Sequence, residues 1–179
     1  DTLKRVTLEL GGKGANLLFA DADDRAIERS VKRMMENTGQ SCNAPSRLLV
    51  ERSVYDRSVE LAGKVAQSIA IGPSSLGGAH MGPVISARQF DRIQHLIGTG
   101  ISEGARLVAG GQGRPTGFNR GYFVQPTVLA DVSNDMTVAR EEIFGPVLSI
   151  IPFDTEEDAI AIANDTPYGL TNYVQSQDG

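Results

Sequence analysis

The single cysteine of the chain, Cys42, lies in the stretch NTGQSCNAPSR (residues 37–47), among small polar residues. A free cysteine is most often a small buried hydrophobe. Here Gly39 and Gln40 offer no apolar cover and Pro45 prevents a continuing helix, so the sequence predicts a polar loop with an accessible thiol. Such a thiol needs only modest activation to become a nucleophile. A buried thiol and a nucleophile therefore both stay open for Cys42.

The two histidines give this thiol no obvious partner. His95 falls within a predicted helix and His80 in a glycine-rich loop, and neither has the sequence context of a cysteine protease. One cysteine and two histidines also supply neither an internal disulfide nor the usual zinc spacing. We therefore expect no cysteine protease and no bound metal.

A carboxylate, Glu9, is a better candidate partner. The stretch ANLLFA (15–20) spans roughly 20 Å as a strand, and a helix over 24–37 returns roughly 21 Å, so the Cys42 loop should come back beside Glu9 and Lys13. A carboxylate near a nucleophilic thiol can take a proton from the water that cleaves a thioester. The alternative is that Glu9 is a solvent-facing strand residue.

The glycines after Glu9, at positions 11, 12 and 14, allow a ligand to approach the backbone closely. The spacing around Lys13 does not match a Walker phosphate loop. The net charge of −5 leaves no basic stripe for nucleic acid, and no apolar stretch approaches the ~20 residues of a membrane span. We expect a soluble, cytoplasmic protein that binds neither nucleic acid nor membrane.

Strands and helices alternate along the chain, which indicates an α/β fold with a layered open sheet and flanking helices. The extended stretch YFVQPTVLADV (122–132) is interrupted at Pro126. The other strands are predicted over 5–10, 15–20, 47–51, 105–110, 147–153 and 170–176. Helices are predicted over 24–37, 54–69, 90–101 and 155–164.

Three segments, LELGGKG (8–14), NTGQSCNAPSR (37–47) and EEIFGPV (141–147), resemble in this order the motifs of the NAD(P)-dependent aldehyde dehydrogenases. The stretches DADD, GPVIS, YFVQPTVLADV and TPYGL are also in place, so that the resemblance covers essentially the whole chain. The glycine and alanine that follow Lys13 depart from the family, which more often has a small polar residue and proline there.

The resemblance implies a role for each motif residue. Cys42 would attack the aldehyde carbonyl, with its backbone N–H as one oxyanion donor, and hydride transfer to nicotinamide would leave a thioester. Glu9 would activate the water that releases the acid. Glu142 and Phe144 match positions that hold the nicotinamide ribose, and Leu10 matches one that lines the nicotinamide pocket. The expected cofactor is NAD or NADP, and the expected substrate is a small-molecule aldehyde.

Family enzymes are well over twice as long, and this chain has no strand–GxGxxG–helix unit. Residues 1–179 are therefore expected to form the catalytic, nucleophile-bearing domain, without the dinucleotide-binding and oligomerisation segments. The full-length form is expected to be a homo-dimer or homo-tetramer, and the chain alone is expected to lack dehydrogenase activity. A cofactor-independent thiol esterase and a dehydrogenase-derived structural or binding protein stay open. For EEIFGPV the alternative is two surface carboxylates before a strand, with Phe144 in the core.

Overall fold

The computed structural model describes residues 3–178 and contains a six-stranded sheet. In the order β3-β4-β5-β2-β1-β6, all neighbouring strands are parallel except the antiparallel pair β3 and β4. The α/β class with a layered sheet is confirmed. The strands are β1 (Ala15–Leu18), β2 (Arg47–Glu51), β3 (Arg106–Ala109), β4 (Thr127–Ala130), β5 (Val147–Phe153) and β6 (Tyr173–Gln175).

Within residues 3–178, five α-helices cover the two faces of the sheet. Helices α1 and α2 share one apolar cluster, and α3, α4 and α5 share the other. The side chains of β2 alternate between them, because Leu48 and Val50 join the first cluster and Leu49 the second. The helices are α1 (Ala26–Met35), α2 (Tyr55–Ser68), α3 (Ala87–Ser102), α4 (Thr137–Arg140) and α5 (Glu156–Asn164).

Central strands are buried on both faces, which explains why RLLVE and VLSIIPF are nearly continuous apolar runs. The strand β2 pairs with β1 on one side and with β5 on the other. Cys42 precedes β2 by a few residues, and Gly12 precedes β1 by a few. The two segments are therefore brought to the same end of the sheet, because β1 and β2 are parallel.

The prediction of a strand over 5–10 is wrong. Residues 3–14 contain no regular structure and pair with no strand in the described part of the chain. A strand needs a partner for its backbone donors and acceptors, and an alternating pattern alone does not provide one. The apolar side chains of this segment are exposed: Leu3, Val6, Leu8 and Leu10.

The bounds of other helices and strands differ from the predicted ones for local reasons. Helix α1 ends at Met35 and is followed by a short 3-10 turn over Glu36–Gly39, because Asn37 and Thr38 have left-handed backbone angles. Strand β4 begins at Thr127, directly after Pro126, which has no N–H to donate. Helix α4 was not predicted, since it has only four residues. No helix in residues 3–178 is long and apolar enough to cross a membrane.

Candidate functional site

Three segments of the chain meet at contacts between backbones. A Cβ placed on Gly12 would lie 2.3 Å from the carbonyl oxygen of Cys42, and one on Gly39 would lie 2.2 Å from the carbonyl oxygen of Gly145. Real Cβ atoms essentially never come this close, so both positions require glycine. A Cβ on Gly11 would similarly meet a carboxylate oxygen of Glu142 at 2.6 Å. The LELGGKG, NTGQSCNAPSR and EEIFGPV segments thus form one packed unit.

The loop that carries Cys42 is held in an unusual conformation. Thr38 is a buried, β-branched residue with φ of 59°, a region that such residues rarely adopt. Its hydroxyl donates to the Gly82 carbonyl at 3.1 Å, and the Gln40 side chain accepts from the Ile85 N–H at 2.9 Å. Strained backbone of this kind persists only where surrounding contacts determine it, and it is common at active sites.

Cys42 itself is partly exposed, and its carbonyl oxygen faces Gly12. The carbonyl of the next residue, Asn43, accepts from the Tyr173 hydroxyl at 3.0 Å, which ties the loop to β6. Within residues 3–178 no hydrogen bond of the Cys42 N–H is found. This donor is therefore free for a ligand oxygen, and the thiol lies in a partly solvated, polar loop, as predicted.

The carboxylate of Glu142 connects the third segment to the first. Its Oε1 accepts from the Gly12 N–H at 2.9 Å. Phe144 follows with φ of 55° and is 40% exposed, so its ring is not part of the core. The alternative interpretation of EEIFGPV is wrong in placing this ring in the core, although Glu141 is exposed and Glu142 half-buried before β5. The left-handed backbone at Phe144 turns its ring outward instead.

Two residues of α3 hold the EEIFGPV loop, and neither was predicted to do so. Arg92 donates to the carbonyls of Glu142 and Ile143 at 2.8 and 3.1 Å. Gln89 donates to the carbonyls of Ile143 and Phe144 at 2.9 and 2.8 Å. Their acceptors are main-chain atoms, which have no side-chain signature. The available signal was two polar residues three positions apart beside the apolar stripe of α3.

The structure does not bring the Glu9 side chain into this unit. Glu9 lies three residues before Gly12, in the exposed segment that has no regular structure. No hydrogen bond or ion pair of Glu9 is found within residues 3–178. Leu10 is 56% exposed. The Cys42 loop thus returns to the glycine turn, at Gly12. The roles of Glu9 and Leu10 stay predictions.

Lys13, in the same turn, is a buried lysine. It is 1% exposed, and its Nζ has no hydrogen-bond partner in the described structure. Burial, with smaller contributions from the charges of Arg47 and Arg92, lowers the pKa of Lys13 to about 7, while Glu142 and Glu141 act in the opposite direction. A lysine at this position is therefore poised between charged and neutral near pH 7.

No group of three or more His, Cys, Asp or Glu side chains that could hold a metal ion is found among the described residues. The three glycine-linked segments pack tightly, and a cavity of only about 10 Å³ lies among them, lined by Gly12, Gly39 and Glu142. This volume is too small for an organic ligand, whereas Cys42 and Phe144 are accessible on the outer surface of the unit.

Replacing Gly12 with alanine should destabilise the chain by about 1–3 kcal/mol, because the new methyl group collides with the Cys42 carbonyl oxygen and forces the two backbones apart. Chemical denaturation would measure the change. Gly77→Ala is the matched control, because nothing lies within 4 Å of a Cβ at Gly77. Equal free energies of unfolding for the two variants would contradict the close contact.

The whole chain, residues 1–179, matches the model of the aldehyde dehydrogenase family. The chain therefore belongs to the aldehyde dehydrogenase family. The 3-succinoylsemialdehyde-pyridine dehydrogenase of a Pseudomonas species is 50% identical over 176 residues, which are 98% of this chain and 37% of that protein. The chain thus spans little more than a third of the length of this relative.

Solved structures agree with the family and the fold. An aldehyde dehydrogenase from Bartonella henselae is 58% identical with a TM-score of 0.96, covering 98% of this chain and 37% of that one. A mutant aldehyde dehydrogenase C from Pseudomonas syringae, complexed with NAD+ and octanal, is 47% identical with a TM-score of 0.94, covering 98% of this chain and 36% of that one.

Proposed function

We propose that this chain is the nucleophile-bearing catalytic domain of an NAD(P)-dependent enzyme that oxidises an aldehyde to a carboxylic acid. The observation that carries the proposal is the backbone contact of three segments, which places Cys42 against Gly12 and Gly12 against Glu142. The family membership and the complexes of similar proteins with NAD+ support the reaction class and the cofactor.

The residues on the outer surface of the unit fit a nicotinamide ribose. Only Oε1 of Glu142 is used by the Gly12 N–H, which leaves the other carboxylate oxygen to accept from ribose hydroxyls. The exposed ring of Phe144 offers an apolar face beside it. The bound nicotinamide would supply hydride acceptance. Leu10, which is exposed just before the glycine turn, would line the pocket of the nicotinamide.

Cys42 would form a covalent bond to the aldehyde carbon, and its backbone N–H would donate to the oxygen that becomes negatively charged. Two features support this role: the N–H has no partner in the described structure, and Gly12 and Tyr173 fix the two carbonyls that follow it, those of Cys42 and Asn43. After hydride leaves the carbon, the acyl group stays on sulfur as a thioester.

Glu9 would act in the last step, by taking a proton from the water that attacks the thioester. It lies on the chain just before Gly12, which contacts Cys42, and its side chain is exposed. An exposed carboxylate close to the nucleophile along the chain suits a base that must contact water. We further propose that the protein is cytoplasmic and acts as a homo-oligomer.

The test is aldehyde-dependent reduction of NAD+ and NADP+ by the complete polypeptide that carries this chain. In Glu9→Gln, the first turnover of NADH should persist while the steady-state rate falls by about 10²–10⁴-fold, because acylation continues and hydrolysis stops. Rapid-mixing absorbance separates the two phases, and Glu157→Gln on α5 is the control. If the first turnover of NADH and the steady-state rate fell by the same factor, Glu9 would not act in the hydrolytic step.

The absence of aldehyde-dependent cofactor reduction in the wild-type protein would overturn the proposed function. Ester hydrolysis that requires Cys42 but no cofactor would then assign the thiol esterase instead. A protein with neither activity and no enhanced thiol reactivity would be a structural or binding member of the family.

A further inference from the structure

The side chain of Arg47, the first residue of β2, is fully buried. Its guanidinium donates to three main-chain carbonyls, those of Lys13 at 3.0 Å, Ile162 at 2.8 Å and Ala163 at 2.9 Å. A fourth bond goes to Oδ1 of Asn134 at 2.9 Å. Within residues 3–178 no carboxylate lies close enough to form an ion pair with it. Burying a cation among neutral carbonyls costs folding free energy, so Arg47 is an unusual residue for this position.

Arg47 holds the glycine turn through both its side chain and its backbone. The Arg47 side chain binds the carbonyl of Lys13, and its backbone N–H donates to the carbonyl of Gly14 at 3.1 Å. One residue therefore fixes two successive peptide groups of the turn. The preceding residue, Gly12, donates its N–H to Glu142 and contacts the Cys42 carbonyl. Arg47 thus holds the turn directly after Gly12, the residue that contacts both Cys42 and Glu142.

We propose that Arg47 is a positioning residue of the catalytic site, whose side chain acts through the carbonyl of Lys13 on the contact of Gly12 with Cys42 and Glu142. The proposal rests on the proposed function and deepens it. Arg47 also follows Cys42 by five residues on the same segment, so it anchors the cysteine loop and the glycine turn to one point of the sheet.

The competing explanation is that Arg47 only stabilises the fold, by joining β2 to the end of α5. The structure separates these roles, because Asn134 accepts from Nη1 of Arg47, whereas the carbonyl of Lys13 in the turn accepts from Nε. Asn134 also donates to the Asp165 carbonyl at 3.1 Å and carboxylate at 2.9 Å. Asn134→Ala therefore weakens the α5 side of the network and leaves the bonds of Arg47 to Lys13 and Gly14 in place.

The experiment compares Arg47→Lys, Arg47→Gln and Asn134→Ala in the complete polypeptide. Lysine keeps the charge but lacks the planar fork that binds three carbonyls at once. The readouts are the alkylation rate of Cys42 as a function of pH, followed by mass spectrometry of its peptide, and kcat and KM for an aldehyde. For both Arg47 variants we expect a shifted alkylation profile and a kcat lower by about 10²-fold with little change in KM.

Asn134→Ala should lose stability but keep the wild-type alkylation profile and kcat. The proposal is overturned if folded Arg47→Lys behaves as wild type, if Asn134→Ala changes the same readouts, or if both Arg47 variants fail to fold, since each outcome assigns Arg47 to stability. A changed alkylation profile confined to the Arg47 variants, in a protein without dehydrogenase activity, would keep the positioning role and reject the proposed function.

Discussion

Replacing Cys42 with alanine in the complete polypeptide should lower the rate of aldehyde-dependent NADH formation by about four to six orders of magnitude. Removing a nucleophile eliminates the covalent route, whereas removing a positioning group only slows it. Initial rates with saturating aldehyde and cofactor would measure the loss. The fold should be preserved, because Cys42 is partly exposed and its loop is held by contacts of Gly12, Thr38 and Tyr173.

The matched control is Ser41→Ala, one residue earlier in the same loop. No hydrogen bond of the Ser41 hydroxyl is found within residues 3–178, so its loss should leave the rate close to that of the wild type. A Cys42→Ala protein that retains a substantial share of the rate would show that another group attacks the aldehyde. A similar loss in both variants would show instead that the loop conformation had changed.

Lys13→Met should stabilise the protein near pH 7, and the advantage should shrink by roughly 3 kcal/mol between pH 7 and pH 9.5. The pKa of Lys13 falls from 10.5 to about 7 on folding. Between these values the unfolded chain binds a proton that the folded chain does not, so wild-type stability rises with pH across this window. Methionine has a similar length and no charge to bury, and it lacks this dependence.

Chemical denaturation of both proteins at several pH values between 6 and 10 would measure the difference. Lys64→Met is the control, because Lys64 is well exposed on α2 and, among residues 3–178, pairs only with Glu60. Its effect should be small and almost independent of pH in this range. If the difference between wild type and Lys13→Met did not change with pH, the lysine would be hydrated or paired in solution.

The sequence predicted the central strands well, because burial on both faces leaves a clear composition. The runs RLLVE and VLSIIPF became β2 and β5 with the expected bounds. The prediction of a strand over RVTLEL (5–10) is wrong, because an alternating pattern does not show whether a partner strand is present. Helix α4 was also missed, since it is too short to show a period and is held by packing against α3 and β5.

For the site, the sequence identified the three segments and the return of the Cys42 loop to the glycine turn. It could not predict that Lys13 and Arg47 are buried, because lysine and arginine are usually exposed and their burial depends on what surrounds them in three dimensions. Nor could it predict the bonds of Gln89 and Arg92 to carbonyls of the EEIFGPV loop. Each of these contacts joins positions far apart in the chain.

The exposed segment over residues 3–10 affects how the chain should be studied. Its unpaired backbone and its row of apolar side chains can add to the sheet edge of a second molecule, which is a common route to aggregation. Lys4, Arg5 and Glu9 lie among these apolar residues, and charged side chains in such positions oppose this association. Dimers or larger species of the chain alone would therefore reflect association through residues 3–10. The native quaternary structure has to be measured on the complete polypeptide.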